Sequence, residues 1–413
     1  MLFIVISKMQ SRLAILFFTL SAVFLTPTTR AAPYTPASDA EVVERLPGRA
    51  SDPATRRVES LRKQLAARPD DAGLRVDIAR RYFDMAMAQG DPRYAGYATG
   101  ALAPLLKATP KDPAIAAAYF QVRGMIEQFT HAFGPALASL AKASALDPTS
   151  AEPLLWRSAI FMVQAQYAQA AAECAKLAPL AEPLVGIGCT AYTESSHNGG
   201  LGAAFATLAE AVKLHASSAP ELLLWQYTRL AEMAWRLDRF DDAESYYKSA
   251  LKLGITDQFL LGSYADFLLV QKRPQEVLVL LAEWERSDIL LLRLALAAKQ
   301  SNNSRAANFA TQLRSRFVEA ARRGDRLHEQ EAARFELDIE QNPKKALQLA
   351  SANYSVQKEP RDAEILMRAA LNPLNADNIK QARPALVWWQ ETGYQDPQIG
   401  ASAAQLVSKG AEK

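Results

Sequence analysis

Arg239-Phe240-Asp241-Asp242-Ala243-Glu244-Ser245-Tyr246-Tyr247-Lys248-Ser249-Ala250-Leu251 is the stretch whose reading decides the fold. Phe240, Ala243, Tyr247 and Ala250 recur at helical spacing and share one face, while Asp241, Glu244 and Lys248 fall away from it. On the shared face, small residues alternate with aromatic ones, the pattern of a helix that must approach its neighbours closely. The same order recurs upstream. In the block Ala117–Ser150, Gly124 is the eighth residue, Phe133 the seventeenth, Ala136 the twentieth and Leu140 the twenty-fourth. Beginning 34 residues later at Ala151, Ser158, Tyr167, Ala170 and Cys174 occupy the same places.

Working outward, the region from Ala54 onward reads as helical segments of 12 to 16 residues with apolar positions at i, i+3, i+4 and i+7, separated by short turns. No sustained period-two alternation competes, so the class is all-α. Pro135, Pro274, Pro343 and Pro384 are placed in first turns of second helices, where a missing N–H costs nothing. The spacing and residue pattern resemble the tetratricopeptide (TPR) repeat family over about 340 residues, read here as an exported bacterial member. That resemblance implies a right-handed α-solenoid of helix-turn-helix units. Units are expected to start near Asp71, Ala117, Ala151, Ala181, Leu224, Gln258, Ser287, Leu327 and Arg361, nine in all after a half-unit helix from Ala54 to Ala67.

The ends divide the chain further. Leu13–Leu25 is an apolar run preceded by Lys8 and Arg12 and followed by Thr29-Arg30-Ala31-Ala32, the layout of a secretory signal cleaved after Ala31, with the start at Met1 or Met9. Its 13 residues fall short of a membrane span, although an uncleaved anchor is the alternative. The expected division is therefore a signal peptide over 1–31, a Pro-interrupted flexible linker over 32–53, the solenoid over 54–408 and a disordered tail over 409–413. The predicted location is the periplasm, with no membrane span after cleavage.

The composition is 49% hydrophobic and 22% charged, which excludes a chain disordered over its bulk. Removing Lys8, Arg12 and Arg30 with the leader leaves 44 basic against 44 acidic residues. With no charge surplus to drive counterion release, no nucleic-acid partner is expected. In an oxidising compartment Cys174 and Cys189 have one possible pairing, and the alternatives are that disulfide or two buried thiols.

No catalytic constellation emerges. His131, His197, His215 and His328 are scattered, and none forms a two-histidine metal pair. His328 reads as a solvated helix residue. Ser195-Ser196-His197 lacks a nucleophile elbow, and Gly186-Ile187-Gly188 lacks the third glycine of a phosphate loop. The expectation is a non-enzyme with no cofactor and no metal.

In the resembled family the concave face is lined by inner positions of each first helix. Carried onto this chain, those positions give Gln121, Met125, Gln128, Phe129, Met162, Tyr192, Trp225, Thr228, Glu232, Trp235, Arg236 and Asp266, with Phe259 beside them. Aromatic and Arg side chains on such a face suit an apolar anchor with a polar rim. The resemblance therefore implies a scaffold or adaptor in the cell envelope that grips a protein or peptide segment. The alternative is a solenoid associated with polysaccharide or peptidoglycan, a cell-wall polymer stacked on flat faces of Tyr192, Trp225 and Trp235 in a row. The Lys and Asn clamp of chaperone-binding members is absent, because Gln121, Met125, Leu155 and Ala159 stand in its place.

Overall fold

A computed structural model describes Ser38 and residues 52–410. The expected signal peptide, nearly all of the linker and the last three residues lie outside the described residues. Among those described there are twenty α-helices and no strand, and the fold is an all-α solenoid of stacked helix-turn-helix pairs, as the repeat spacing predicts. Helix α1 (Pro53–Ala67) stands alone at the start, nine helix pairs follow, and a last helix, α20 (Pro397–Gly410), packs on the final pair. Its helical residues reach Gly410, taking up the first two residues of the expected disordered tail.

Six pairs build the functional region. They are α4 (Pro113–Phe129) with α5 (Phe133–Leu146), α6 (Glu152–Val163) with α7 (Tyr167–Cys174), α8 (Pro183–Glu194) with α9 (Leu201–Leu214), α10 (Pro220–Arg236) with α11 (Phe240–Lys252), α12 (Gln258–Val270) with α13 (Pro274–Leu280), and α14 (Asp288–Gln300) with α15 (Ala306–Arg322). Before them come α2 (Ala72–Gln89) and α3 (Pro92–Leu102). After them come α16 (Glu329–Asp338) with α17 (Pro343–Tyr354), and α18 (Pro360–Ala370) with α19 (Ala376–Thr392). Side-chain caps begin many of these helices: Asp71 accepts from the Leu74 N–H at 2.9 Å, and Asp257 from that of Leu260 at 2.7 Å. Pro274 and Pro343 open α13 and α17 as expected, but Pro384 lies inside α19, because Asn375 caps that helix well before it, accepting from the Asn378 N–H.

The turn inside a pair has a structural signature that the residue types conceal. In eight successive pairs it carries a residue at positive φ, with Gly199 following the fourth: Gly90, His131, Ala165, Asn198, Asp238, Lys272, Asn302 and Gln341. Of these eight only the first is glycine. Packing of each helix pair supplies what outweighs the cost of the left-handed conformation in the others.

The core follows the repeat. Ala136, Ala170, Ala243 and Ala346 are fully buried, as are Leu140 and Tyr247 one turn further on. A Cβ on Gly124 would stand 2.6 Å from Leu140 Cγ and 3.2 Å from the Ala136 carbonyl oxygen, so only glycine fits that crossing. Cys174 and Cys189 are joined in a disulfide that ties α7 to α8, with Cα atoms 5.5 Å apart. It lies in an apolar layer with Leu154 and Leu177, against which Trp225 packs.

Later units also fold back against the turns of earlier ones. Gln258 Nε2 donates to the Met87 carbonyl at 3.2 Å, and the Lys358 N–H to that of Val163 at 2.7 Å. The Asn198 N–H donates to the Thr392 carbonyl at 2.7 Å, and buried Trp388 donates to the Tyr167 hydroxyl at 3.0 Å. The concave side is thereby roofed by the chain's own next turn. Trp388 is a core residue, and Trp389 is half-buried beside it.

Candidate binding chamber

Roofing turns the expected open groove into a chamber of about 430 Å³, walled by first helices from both ends of the solenoid. Seven of the twelve expected groove residues line it: Gln128, Phe129, Tyr192, Glu232, Trp235, Arg236 and Asp266; Phe259 does so too. The other five do not. Met125 is buried beneath Arg80, and Gln121 donates to Glu152, which also pairs with Arg80 at 2.8 Å. Thr228 is buried, its hydroxyl donating to the Leu224 carbonyl at 2.8 Å. Trp225 belongs to the disulfide layer, and Met162 is half-buried away from the chamber wall. At Gln121, Met125 and Trp225 the side chain bonds or packs against a neighbouring unit, and at Thr228 it bonds its own helix.

The aromatic faces in the chamber are already dressed. The guanidinium of Arg229 lies 3.5 Å from the ring centre of Tyr192 and 5.0 Å from that of Phe259, stacked between them. Arg236 covers Tyr394 at 4.0 Å, and Arg361 stands over Trp235 at 5.7 Å. Trp235 also meets Phe267 edge-on. A bare row of flat rings, which sugar stacking would need, does not form at Tyr192, Trp225 and Trp235.

The charge of the lining is lopsided. Glu232, Asp257, Asp266, Glu331, Glu359, Glu364 and Asp396 face Arg236, Arg293 and Arg361. Burial pushes the Glu359 carboxyl up to about 7, against the pull of Arg229 and with the help of Glu232 and Glu331. Asp362 is raised by burial and by Glu359 beside it, and its carboxylate caps the Glu359 N–H at 3.0 Å. Asp266 goes the other way: although burial opposes ionisation, Arg293, Arg334 and Arg361 hold it well below the usual carboxylate range. It pairs with Arg293 at 2.8 Å and with Arg334 at 2.7 Å.

Sequence reasoning missed the far wall. His328, expected in solvent, is half-buried against Glu331, with 3.7 Å between Nδ1 and the carboxylate. Burial lowers the His328 pKa, but the hydrogen bond to Glu331 and its charge leave it raised overall. Continuing the positional rule into the unit at Leu327 gives His328 and Glu331 at the second and fifth places, so that signal was present in the sequence. Tyr394 and Asp396 had none, because they reach the chamber only through the roofing turn. Among the described residues no His, Cys, Asp and Glu group has a metal-binding arrangement, and no helix is long and apolar enough to cross a membrane.

No protein-family model matches the chain, and no curated protein matches it. Solved structures do. Yeast Tom70 is similar at 13% identity over 87% of this chain and 86% of its own, with a TM-score of 0.40. Human IFIT1, solved as a dimer with m7Gppp-AAAA, is similar at 12% identity over 86% of this chain and 78% of its own, with a TM-score of 0.40. A second IFIT1 dimer, with PPP-AAAA, gives 12%, 86%, 85% and 0.41. These solenoids correct one expectation: nucleic acid is not excluded as a partner, since structures similar to this chain were solved with oligonucleotides. The exclusion failed because net charge is a sum over the whole surface, whereas phosphate recognition depends on the local lining of one site.

Proposed function

We propose that the protein is a non-enzymatic binding scaffold of the cell envelope whose central chamber receives a protein segment bearing a cationic side chain. The observation that carries the reading is the excess of carboxylates over guanidiniums in the chamber, beside aromatic faces. A Lys or Arg from a partner would meet Glu232, Glu331 and Glu359 in surroundings where charge pairs are weakly screened. The guanidiniums already stacked on Tyr192 and Tyr394 illustrate the contact such a side chain would make. Export is supported by the signal layout at Leu13–Leu25 and by the Cys174–Cys189 bridge.

Crosslinking with mass spectrometry on intact cells expressing the tagged chain tests the binding reading, with Trp235→Ala and Glu232→Lys as matched variants. Proteins captured by the wild type and lost by both variants, while the variants stay folded, would support it. Capture that ignores both variants would rule it out. Fractionation with amino-terminal sequencing tests export: a mature start at Ala32 in the periplasm is the expected result.

A further inference from the structure

Beside the chamber lies a second cleft of about 810 Å³, built by α12, α14, α16, α18 and α20. An unbroken alternation of charge crosses four successive first helices, starting in the chamber at Arg293 and running along the cleft wall from Asp266. Arg293 pairs with Asp266, and Asp266 with Arg334. Arg334 reaches Asp338 at 3.6 Å, and Asp338 pairs with Arg368. Arg368 stands 3.7 Å from Glu364, which holds Arg361. Asp266, Arg361 and Glu364 belong to both cavities, forming the partition between an acidic chamber and this cleft.

The ladder uses up the carboxylates. Asp266, Asp338 and Glu364 are the acidic side chains lining the cleft, and each already holds at least one guanidinium. Lys272 and Lys299 line the same cleft with no carboxylate partner among the described residues. Lys299 donates to the main-chain oxygens of Asp338 at 2.7 Å and Ile339 at 3.0 Å, which neutralises no charge. Lys272 is exposed at the rim, in the turn between α12 and α13. Five cations against three anions leave the lining two charges positive. The remaining polar groups are neutral and of both hydrogen-bonding senses: Gln300, Asn372, Gln398, Ser402 and Gln405. The volume falls within the roughly 300–1,000 Å³ of small-molecule sites.

We propose that this cleft binds a small, hydroxyl-bearing dianion, a sugar phosphate or a hydroxy-dicarboxylate. Lys272 and Lys299 supply the two uncompensated charges, the planar Arg ladder orients the anionic group, and the amides and Ser402 take the hydroxyls. A dianion restores neutrality to a lining that the fold leaves positive.

Isothermal titration of the full chain at low ionic strength tests this, with glucose 6-phosphate, tartrate, inorganic phosphate and neutral glucose as probes. The expected result is binding of glucose 6-phosphate or tartrate, which identifies the phosphate or the carboxylate source, with glucose silent. Lys272→Glu, an exposed change with no fold contact to lose, should weaken that binding by about tenfold or more. Lys272→Arg should retain it. Glu232→Gln, which alters only the chamber, should leave it unchanged, so this result does not depend on whether the chamber takes a protein segment. The proposal is overturned if both small dianions are silent, if only a long polyanion such as polyglutamate binds, or if Lys272→Glu binds as well as the wild type.

Discussion

The concave faces of the early and late units are built from one repeat and do opposite things. In α2, α4 and α6 the inner positions are spent on packing: Met125 is buried, and Phe83 stacks edge-on against Phe129 and Trp156. The charge there converges on Glu152, which accepts from Arg80, Gln121 and Trp156. In α12 to α18 the same face carries the Arg and carboxylate ladder; the cleft lies along it, and the chamber runs from it to Gln128 and Phe129 at the end of α4. A repeat fixes where the backbone goes and leaves its inner positions free to serve as core or as site. The early units hold the shape, and the late ones hold the charge.

Breaking the ladder should have the largest effect. Asp266→Asn leaves Arg293, Arg334 and Arg361 facing one another in a buried wall, and removal of one partner from a buried ionic group costs about 3–5 kcal/mol. Urea denaturation should show a loss of that size. A loss below about 1 kcal/mol would mean that water compensates the ladder and that the late face is a surface. In the early region the equivalent blow is steric. Gly124→Leu forces a side chain into Leu140 and the Ala136 carbonyl, and overpacking of this kind costs about 3 kcal/mol. An unchanged melting curve would sink the repeat register itself.

Reduction of the Cys174–Cys189 bridge acts between the two regions. Opening a 15-residue loop should lower stability by about 3 kcal/mol on the chain-entropy account. The disulfide lies in the layer that Trp225 covers, so reduction should change tryptophan fluorescence before global unfolding. Coincident changes would mean that this layer melts only with the whole.

The helix pairs were legible because close crossings demand small residues, and Gly124, Ala136, Ala170 and Ala243 state that demand directly in the sequence. The turns were not: Ala165, Lys272 and Gln341 are poor left-handed formers, forced there by the helices on either side. The roofing contacts, such as Trp388 with Tyr167, were invisible for a different reason, since pitch accumulates from small rotations at every unit and no single residue encodes it. The site was therefore half readable. Inner positions named Tyr192, Glu232 and Trp235, while the residues opposite them arrive from about a hundred or more positions away.

The smallest expected effect has the reverse sign and probes how closed the late face is. Glu359 titrates near 7 in the folded chain against an ordinary 4.5, so its proton is held more tightly when folded. Its contribution to stability is full below about pH 4.5 and is lost as pH rises through 7, where the folded state must ionise a carboxyl shielded from water. Glu359→Gln removes that cost. The variant should match the wild type at pH 4 and exceed it by about 3 kcal/mol at pH 8 in urea titrations, and relief of the neighbouring Asp362 acts in the same direction. Equal stability at both values would mean that water reaches Glu359 freely and the roof is open. A cationic segment entering the chamber would favour the ionised carboxylate, so wild-type affinity should climb through pH 7, and the Gln variant should climb less, its remaining slope coming from His328 and Asp362.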